Sequence, residues 1–240
     1  MAIKRLCIWE GAGPTGTKER VVIKLSGKVF GESAASDLKK YAAMLAEISD
    51  QIQPIAVAGG GKIARQYISI ARELGSDEAT LDLLGIEVSR LNARLVIAAL
   101  GERAYHSVPK DLEEVATAAA SGKIVVTGGL HPGQSTNATA ALIAEKVRAS
   151  KFLNATDVDG IYDSDPNKNK SAKMFKEITV KRCLEILGSE NSAAGTYDLI
   201  DIVALKVIER SRIPTVVLKS DVASIKNAVA GKPTGTRIIF

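Results

Sequence analysis

The 240-residue chain is poor in the residues that mark several large functional classes. It has only two cysteines, Cys7 and Cys183, far apart and outside any CxxC pair. That excludes a disulfide framework and points to a reducing compartment. Two histidines and no clustered cysteine leave no zinc site by spacing. Aromatic residues make up 4% of the chain, so the core must be built from Ala, Val, Ile and Leu within an apolar fraction of 46%. Like charges never run beyond a pair, as at Lys39–Lys40. The net charge of +5 is therefore spread out, which argues against nucleic acid, whose binding calls for a basic patch with interleaved aromatics. No apolar run reaches the roughly 18 residues of a membrane helix. The N-terminus has too short an apolar stretch for a signal peptide. These absences lead us to expect a cytoplasmic protein.

What is present is an alternation of short apolar runs with helical periodicity. Strands are expected at 21–25 (VVIKL), 54–58 (PIAVA), 124–127 (IVVT), 152–155, 214–218 (PTVVL) and 236–240, with a further short one at 105–108. Helices are expected at 35–52, 62–74, 80–100, 111–120, 135–150, 180–187, 199–211 and 222–230, and a polar loop at 157–173. The strand runs are continuous rather than alternating, as in a mainly parallel sheet covered on both faces. No repeat or linker divides the chain. We expect a mobile extension over residues 1–19 and one domain over 20–240.

Glycine falls at the ends of these strands. Gly11, Gly13 and Gly16 form a GxGxxG, but Pro14 interrupts it and a strand follows, whereas a dinucleotide fingerprint opens a helix. Lys18 is one place too late for a Walker A loop. Three other loops are more informative. Lys24-Leu-Ser-Gly27-Lys28 ends the first strand with small residues and two cations. Gly59-Gly60-Gly61-Lys62 ends the second and opens a helix, exposing N–H donors to an anion, with Arg65 one turn in for bidentate phosphate contact. Thr127-Gly128-Gly129-Leu130-His131-Pro132-Gly133-Gln134-Ser135-Thr136-Asn137 ends the third and caps an Ala-rich helix. Ligands of open α/β sheets sit outside the carboxyl ends of the strands, so three such loops make one phosphate-rich crevice. A fourth segment, Asn154-Ala-Thr156-Asp157-Val-Asp159-Gly160-Ile-Tyr162-Asp163-Ser-Asp165-Pro166, reads as a nucleotide clamp with Tyr162 beside a base and acidic residues near Mg²⁺.

The order KLSGK, GGGKIAR, DLLGI, TGGLHPGQST, ATDVDGIYDSDP and YDLIDIVALKVIERS resembles the amino acid kinase superfamily over residues 20–240. VDGxYxxDP fixes only the superfamily. GGGKIAR followed by Asp82-Leu-Leu-Gly85 is similar to the archaeal type of UMP kinase. The resemblance implies a three-layer α/β/α sandwich, with UMP in the N-terminal part and ATP, carrying Mg²⁺, in the C-terminal part. It implies catalytic roles for Lys24, Lys206 and Arg65, the first two on the transferring phosphoryl group. It places ATP on Gly27, Lys28, Gly61, Arg65, Thr156, Tyr162 and Asp165, and UMP on Gly60, Asp82, Leu130, His131, Pro132, Gly133, Gln134, Ser135 and Thr136. No protein-held metal is implied. Many relatives carry Asp at the position of Asn137 and Asn at that of Asp157.

Two alternatives stay open: another kinase of the superfamily, for isopentenyl phosphate or an amino acid, and a nucleotide sensor without catalysis. The helix at 80–100 is apolar on more than one face, with Ile86, Val96 and Ile97 off its main stripe. This predicts a homo-oligomer, and the resemblance implies a hexamer built from dimers.

Overall fold

The strands expected from the apolar runs form one sheet in the computed structural model, which describes residues 18–31, 34–166, 168–188 and 199–240. The strands are β1 (Arg20–Leu25), β2 (Gln53–Ala58), β3 (Val125–Thr127), β4 (Lys151–Thr156), β5 (Glu177–Thr179), β6 (Thr215–Lys219) and β7 (Thr236–Ile239). Their spatial order is β3-β2-β1-β4-β6-β7-β5. All neighbours are parallel except β6 and β7. Every residue of β2 is buried, as a strand covered on both faces requires.

The helices are α1 (Ala34–Ile48), α2 (Gly61–Glu73), α3 (Glu78–Leu100), α4 (Leu112–Ala120), α5 (Thr136–Lys146), α6 (Val180–Gly188), α7 (Ile202–Ser211) and α8 (Val222–Val229). They cover the sheet as two layers. Val22, Val57, Phe152 and Val217 point to the core shared with α4, α5, α6 and α7. Ile23, Leu25, Ala56 and Leu153 point to the core shared with α1, α3 and α8. The three-layer α/β/α arrangement follows from this alternation along strands buried on both sides.

Local signals set the helix starts. Asp77, Asp111, Ser135, Asp201 and Asp221 each accept a hydrogen bond from a backbone N–H of the first turn of α3, α4, α5, α7 and α8 respectively. The expected strand at 105–108 reduces to one bridge, Ala104 with Ile124, because the chain turns away before Pro109, which has no N–H to extend a ladder. Strand β5 has no counterpart in the periodicity reading. It is three residues long, too short to show a period. The Gly11–Gly16 run lies outside the described residues. Glu19 already pairs with the sheet just ahead of β1, since its carbonyl accepts from Gln53 N–H at 2.7 Å.

Helix α3 is apolar on two sides, but not in the way the stripe implied. Ile86 and Val96 are buried and Ile97 packs against the core. The exposed side carries Leu83, Leu91 and Leu95. Helix α3 adjoins α2, which exposes Tyr67 and Ile70, with Leu74 exposed just past its end.

Candidate active site

The chain runs β1, β2, β3 outward on one side and then crosses to β4 on the other side of β1. This reversal of strand order falls beside β1, at the carboxyl ends where the glycine loops lie. The first two loops touch. A Cβ on Gly27 would lie 2.4 Å from Gly61 Cα, and one on Gly61 would lie 2.4 Å from Gly27 O. Gly61 also has φ +66°, a left-handed conformation in which a side chain is strained. Glycine at both positions is what lets the loop after β1 meet the loop that opens α2.

The crevice beside these loops is lined by Gly60, Gly61, Arg65, Asp82, His131, Gln134, Ser135 and Thr136 among the expected residues. Ala64, Ile68, Gly85, Ile86, Ser89 and Gly129 complete it. Arg65 is exposed on the first turn of α2 and faces the opening. Asp82 Oδ2 accepts from Gly133 N–H at 2.6 Å, which fixes the tip of the loop after β3. Ser135 Oγ caps α5 by accepting from Ala138 N–H at 2.9 Å and donates to Asp201 Oδ2. Asp201 in turn caps α7. This carboxylate, which ties two helix N-termini together, was not singled out in the sequence. Its signal was its place as N-cap ahead of an apolar helix. Leu130 is a buried core residue beneath the loop, and Pro132 and Gly133 are exposed at its tip.

Lys24 stands on β1 in register with Asn154 of β4. Its Nζ donates to Ala155 O at 3.4 Å, at the carboxyl end of β4. Asn137 and Asn154 both donate their side-chain N–H to Leu199 O, at 3.3 and 2.8 Å, and bury the opposite carboxamide oxygens without a partner. The Asn at 137 thus joins α5 to the segment leading into α7.

On the far side of Lys24, Asp157 closes the first loop onto the fourth segment. It accepts from Ser26 Oγ at 3.0 Å and pairs with Lys28 Nζ at 3.0 Å. Asp159 pairs with Lys219 at 3.4 Å. Asp163 accepts from Lys173 N–H and from Ser164. The acidic residues of this segment are thus engaged by lysines and by their own loop. No group of three or more His, Cys, Asp or Glu suited to a metal occurs among the described residues. Thr156 turns its hydroxyl to Val158 O at 3.0 Å, and the Asp165 carbonyl accepts from Lys168 and Asn169 N–H. Tyr162 points its hydroxyl at Asp159, 3.5 Å away. Partial burial, and then the Asp159 carboxylate, push its phenol above the ordinary value. Thr156 ends β4, and Tyr162 is tied through Asp159 to Lys219 at the end of β6; Thr156, Tyr162 and Asp165 do not line the crevice beside α3.

Lys206 is not brought to the crevice. Helix α7 buries Ala204, Leu205, Val207 and Ile208, and position 206 falls opposite them on the helical wheel. Its side chain is 58% exposed and pairs with Glu209 at 2.9 Å. The resemblance gave Lys206 its place on the transferring phosphoryl group; like Lys24, it does not line the crevice beside α3.

Comparison with known proteins agrees with this architecture. The model of the "Amino acid kinase family" matches residues 19–219. A uridylate kinase of Methanobrevibacter smithii is 40% identical over 222 residues, 92% of this chain and 99% of the relative. One of Methanothermobacter thermautotrophicus is 43% identical over the same shares. The crystal structure of uridylate kinase from Archaeoglobus fulgidus superposes with a TM-score of 0.83 at 40% identity, covering 91% of this chain and 99% of that one. Among the described residues, no helix is long and apolar enough to cross a membrane. A mainly parallel sheet with glycine loops at its carboxyl edge, together with these matches along nearly the whole chain, establishes that this protein belongs to the amino acid kinase family.

Proposed function

We propose that this protein transfers the γ-phosphoryl group of ATP to UMP, giving UDP and ADP in pyrimidine nucleotide synthesis in the cytoplasm. One observation carries the reading. A single crevice joins an anion-binding helix start, Gly60-Gly61 with Arg65, to a carboxylate, Asp82, and a polar loop, 131–136. The first suits a phosphate and the other two suit a ribose and base. Relatives that share 40–45% of the sequence over most of the chain carry the name uridylate kinase, which favours UMP over other acceptors.

In this reading UMP occupies the crevice beside α3, and ATP lies along the ends of β1, β4 and β6, near Gly27, Lys28, Thr156, Tyr162 and Asp165. The acceptor oxygen of UMP is already anionic, so no general base is needed. An oxygen–phosphorus bond forms to the γ-phosphorus as its bond to the β–γ bridging oxygen breaks, and ADP leaves with that electron pair. The protein supplies in-line positioning and charge compensation. Lys24, Arg65 and the loop N–H groups offset the repulsion of two polyanions. Mg²⁺ would arrive with the ATP phosphates and shield their charge. A second proposal concerns assembly: the exposed apolar faces of α2 and α3 are the surface on which two copies pair, as a first step to a hexamer.

A coupled assay of ADP formation across UMP, CMP, isopentenyl phosphate and aspartate tests the reading. Turnover should be highest with UMP. Preference for any other acceptor moves the protein to another branch of the family, and no ADP with any of them leaves the sensor alternative.

A further inference from the structure

Helix α3 holds both glycine loops by polar side chains on its inner face. Ser89 Oγ accepts from Gly129 N–H at 2.7 Å. Arg90 donates to Gly129 O at 3.1 Å, Leu130 O at 3.3 Å and Lys110 O at 3.1 Å. Asn92, one turn after Ser89 and buried, donates both hydrogens of its carboxamide nitrogen, to Gly59 O at 2.8 Å and Gly60 O at 3.3 Å.

A trans peptide unit is planar, and its C=O and N–H point in opposite directions. No peptide bond among the described residues is cis. Holding the carbonyls of Gly59 and Gly60 toward α3 therefore turns the N–H groups of Gly60 and Gly61 away from α3. That side is the one where the loops of β1 and β2 meet: a Cβ on Gly27 would lie 2.6 Å from Gly61 N. Glycine has no side chain to set these peptide planes, and the residues lack steric barriers that would do so. Two contacts set them: the first hydrogen bond of α2, from Ala64 N–H to Gly60 O at 3.3 Å, and the Asn92 carboxamide, which reaches Gly60 O and alone of the two also holds Gly59 O.

We propose that Asn92 is a positioning residue for phosphoryl transfer: it aims the Gly60 and Gly61 N–H groups at the oxygens of the phosphoryl group in flight. The inference rests on the kinase reading above. It differs from the role of Asp82 and the 131–136 loop, which hold the acceptor. Preset donors act most strongly where charge shifts in the transition state, so the loss should fall on kcat rather than on KM.

Two near-isosteric variants remove the donor, Asn92→Leu and Asn92→Asp. Each should lower kcat by about 10²-fold, the scale for one lost oxyanion-type donor, with KM for UMP and ATP changed by less than about 3-fold. Folded content is checked by circular dichroism. A kcat within twofold of wild type in either folded variant, or an effect confined to KM, overturns the proposal. Should both variants fail to fold, the wild type decides: on adding a nonhydrolysable ATP analogue, Mg²⁺ and UMP, the Gly60 and Gly61 amide protons of ¹⁵N-glycine-labelled protein should move downfield. Unmoved resonances overturn it. Wild-type protein that makes no ADP from any acceptor defeats the kinase reading instead.

Discussion

The carboxylate of Asp82 accepts the Gly133 N–H through one oxygen, Oδ2, at 2.6 Å. Helix α3 and the loop after β3 are thereby held together across the mouth of the crevice, and Oδ1 is left to a ligand hydroxyl. In the UMP kinase reading that hydroxyl is on the ribose. Deoxy-UMP should then be a poorer substrate by about 10- to 150-fold in kcat/KM, since a hydrogen bond to a charged group is worth about 1.5–3 kcal/mol. Asp82→Asn should shrink the gap, because the amide can keep the loop contact without the charge. Equal turnover of dUMP and UMP by the wild type would falsify the assignment.

The basic residues divide by geometry. Lys24→Ala and Arg65→Ala should each lower kcat by roughly 10²–10³, on the scale of other charge-stabilising groups. Lys206→Ala separates the role the resemblance implies from a surface one: a comparable loss of kcat supports the first, an unchanged kcat the second, and its exposed pair with Glu209 is worth at most ~1 kcal/mol of stability in either case. Steady-state kinetics of the three variants side by side test this.

The assembly surface changes the choice of variant. Ile97 packs inward, so Ile97→Glu should lower the melting temperature rather than split an oligomer. Leu91→Glu and Leu95→Glu lie on the exposed face and should dissociate it while the fold persists. Sedimentation velocity separates these outcomes. A single species near 25 kDa for the wild type at micromolar concentration removes the oligomer altogether.

One titration should be visible in stability. The Arg210 guanidinium, and after it the Ser211 hydroxyl, hold Glu145 below its ordinary pKa, against the opposing effect of partial burial. The bond joins α5 to α7. A depressed folded pKa gives stability that is present above the unfolded value of 4.5 and lost as pH falls through the lower folded one. Glu145→Gln should therefore cost about 0.5–1 kcal/mol at pH 7, discounted for exposure, and less at about pH 3, below the unfolded value, where that contribution is being lost. Urea denaturation at the two pH values measures it. A deficit of equal size at both would assign the effect to packing.

Sequence alone determined the element types and their order, the parallel bias of the sheet and the placing of glycine at strand ends. Those are local properties. A run such as PIAVA has no polar face to show water, and three glycines after it pack no side chains. The glycine start of α2 with Arg65 and the loop that carries His131, Gln134, Ser135 and Thr136 were legible for the same reason, each being a short motif beside a strand end or at a helix start, whereas Asp82 was reached only through the family resemblance. Tertiary structure decided which way side chains face and which distant groups meet. Lys206 sits in a family-like segment, yet the phase of α7 turns it to solvent. Ile97 looked like an outer apolar residue, and the packing of α3 turns it inward. Asp201 meets Ser135, and Asn92 meets Gly59 and Gly60, only because α7 and α3 lie against the carboxyl edge of the sheet. A polar residue in an apolar helix carries no local sign of its partner. Its hydrogen bonds exist only after two elements far apart in the chain have packed, and that is a property of the fold.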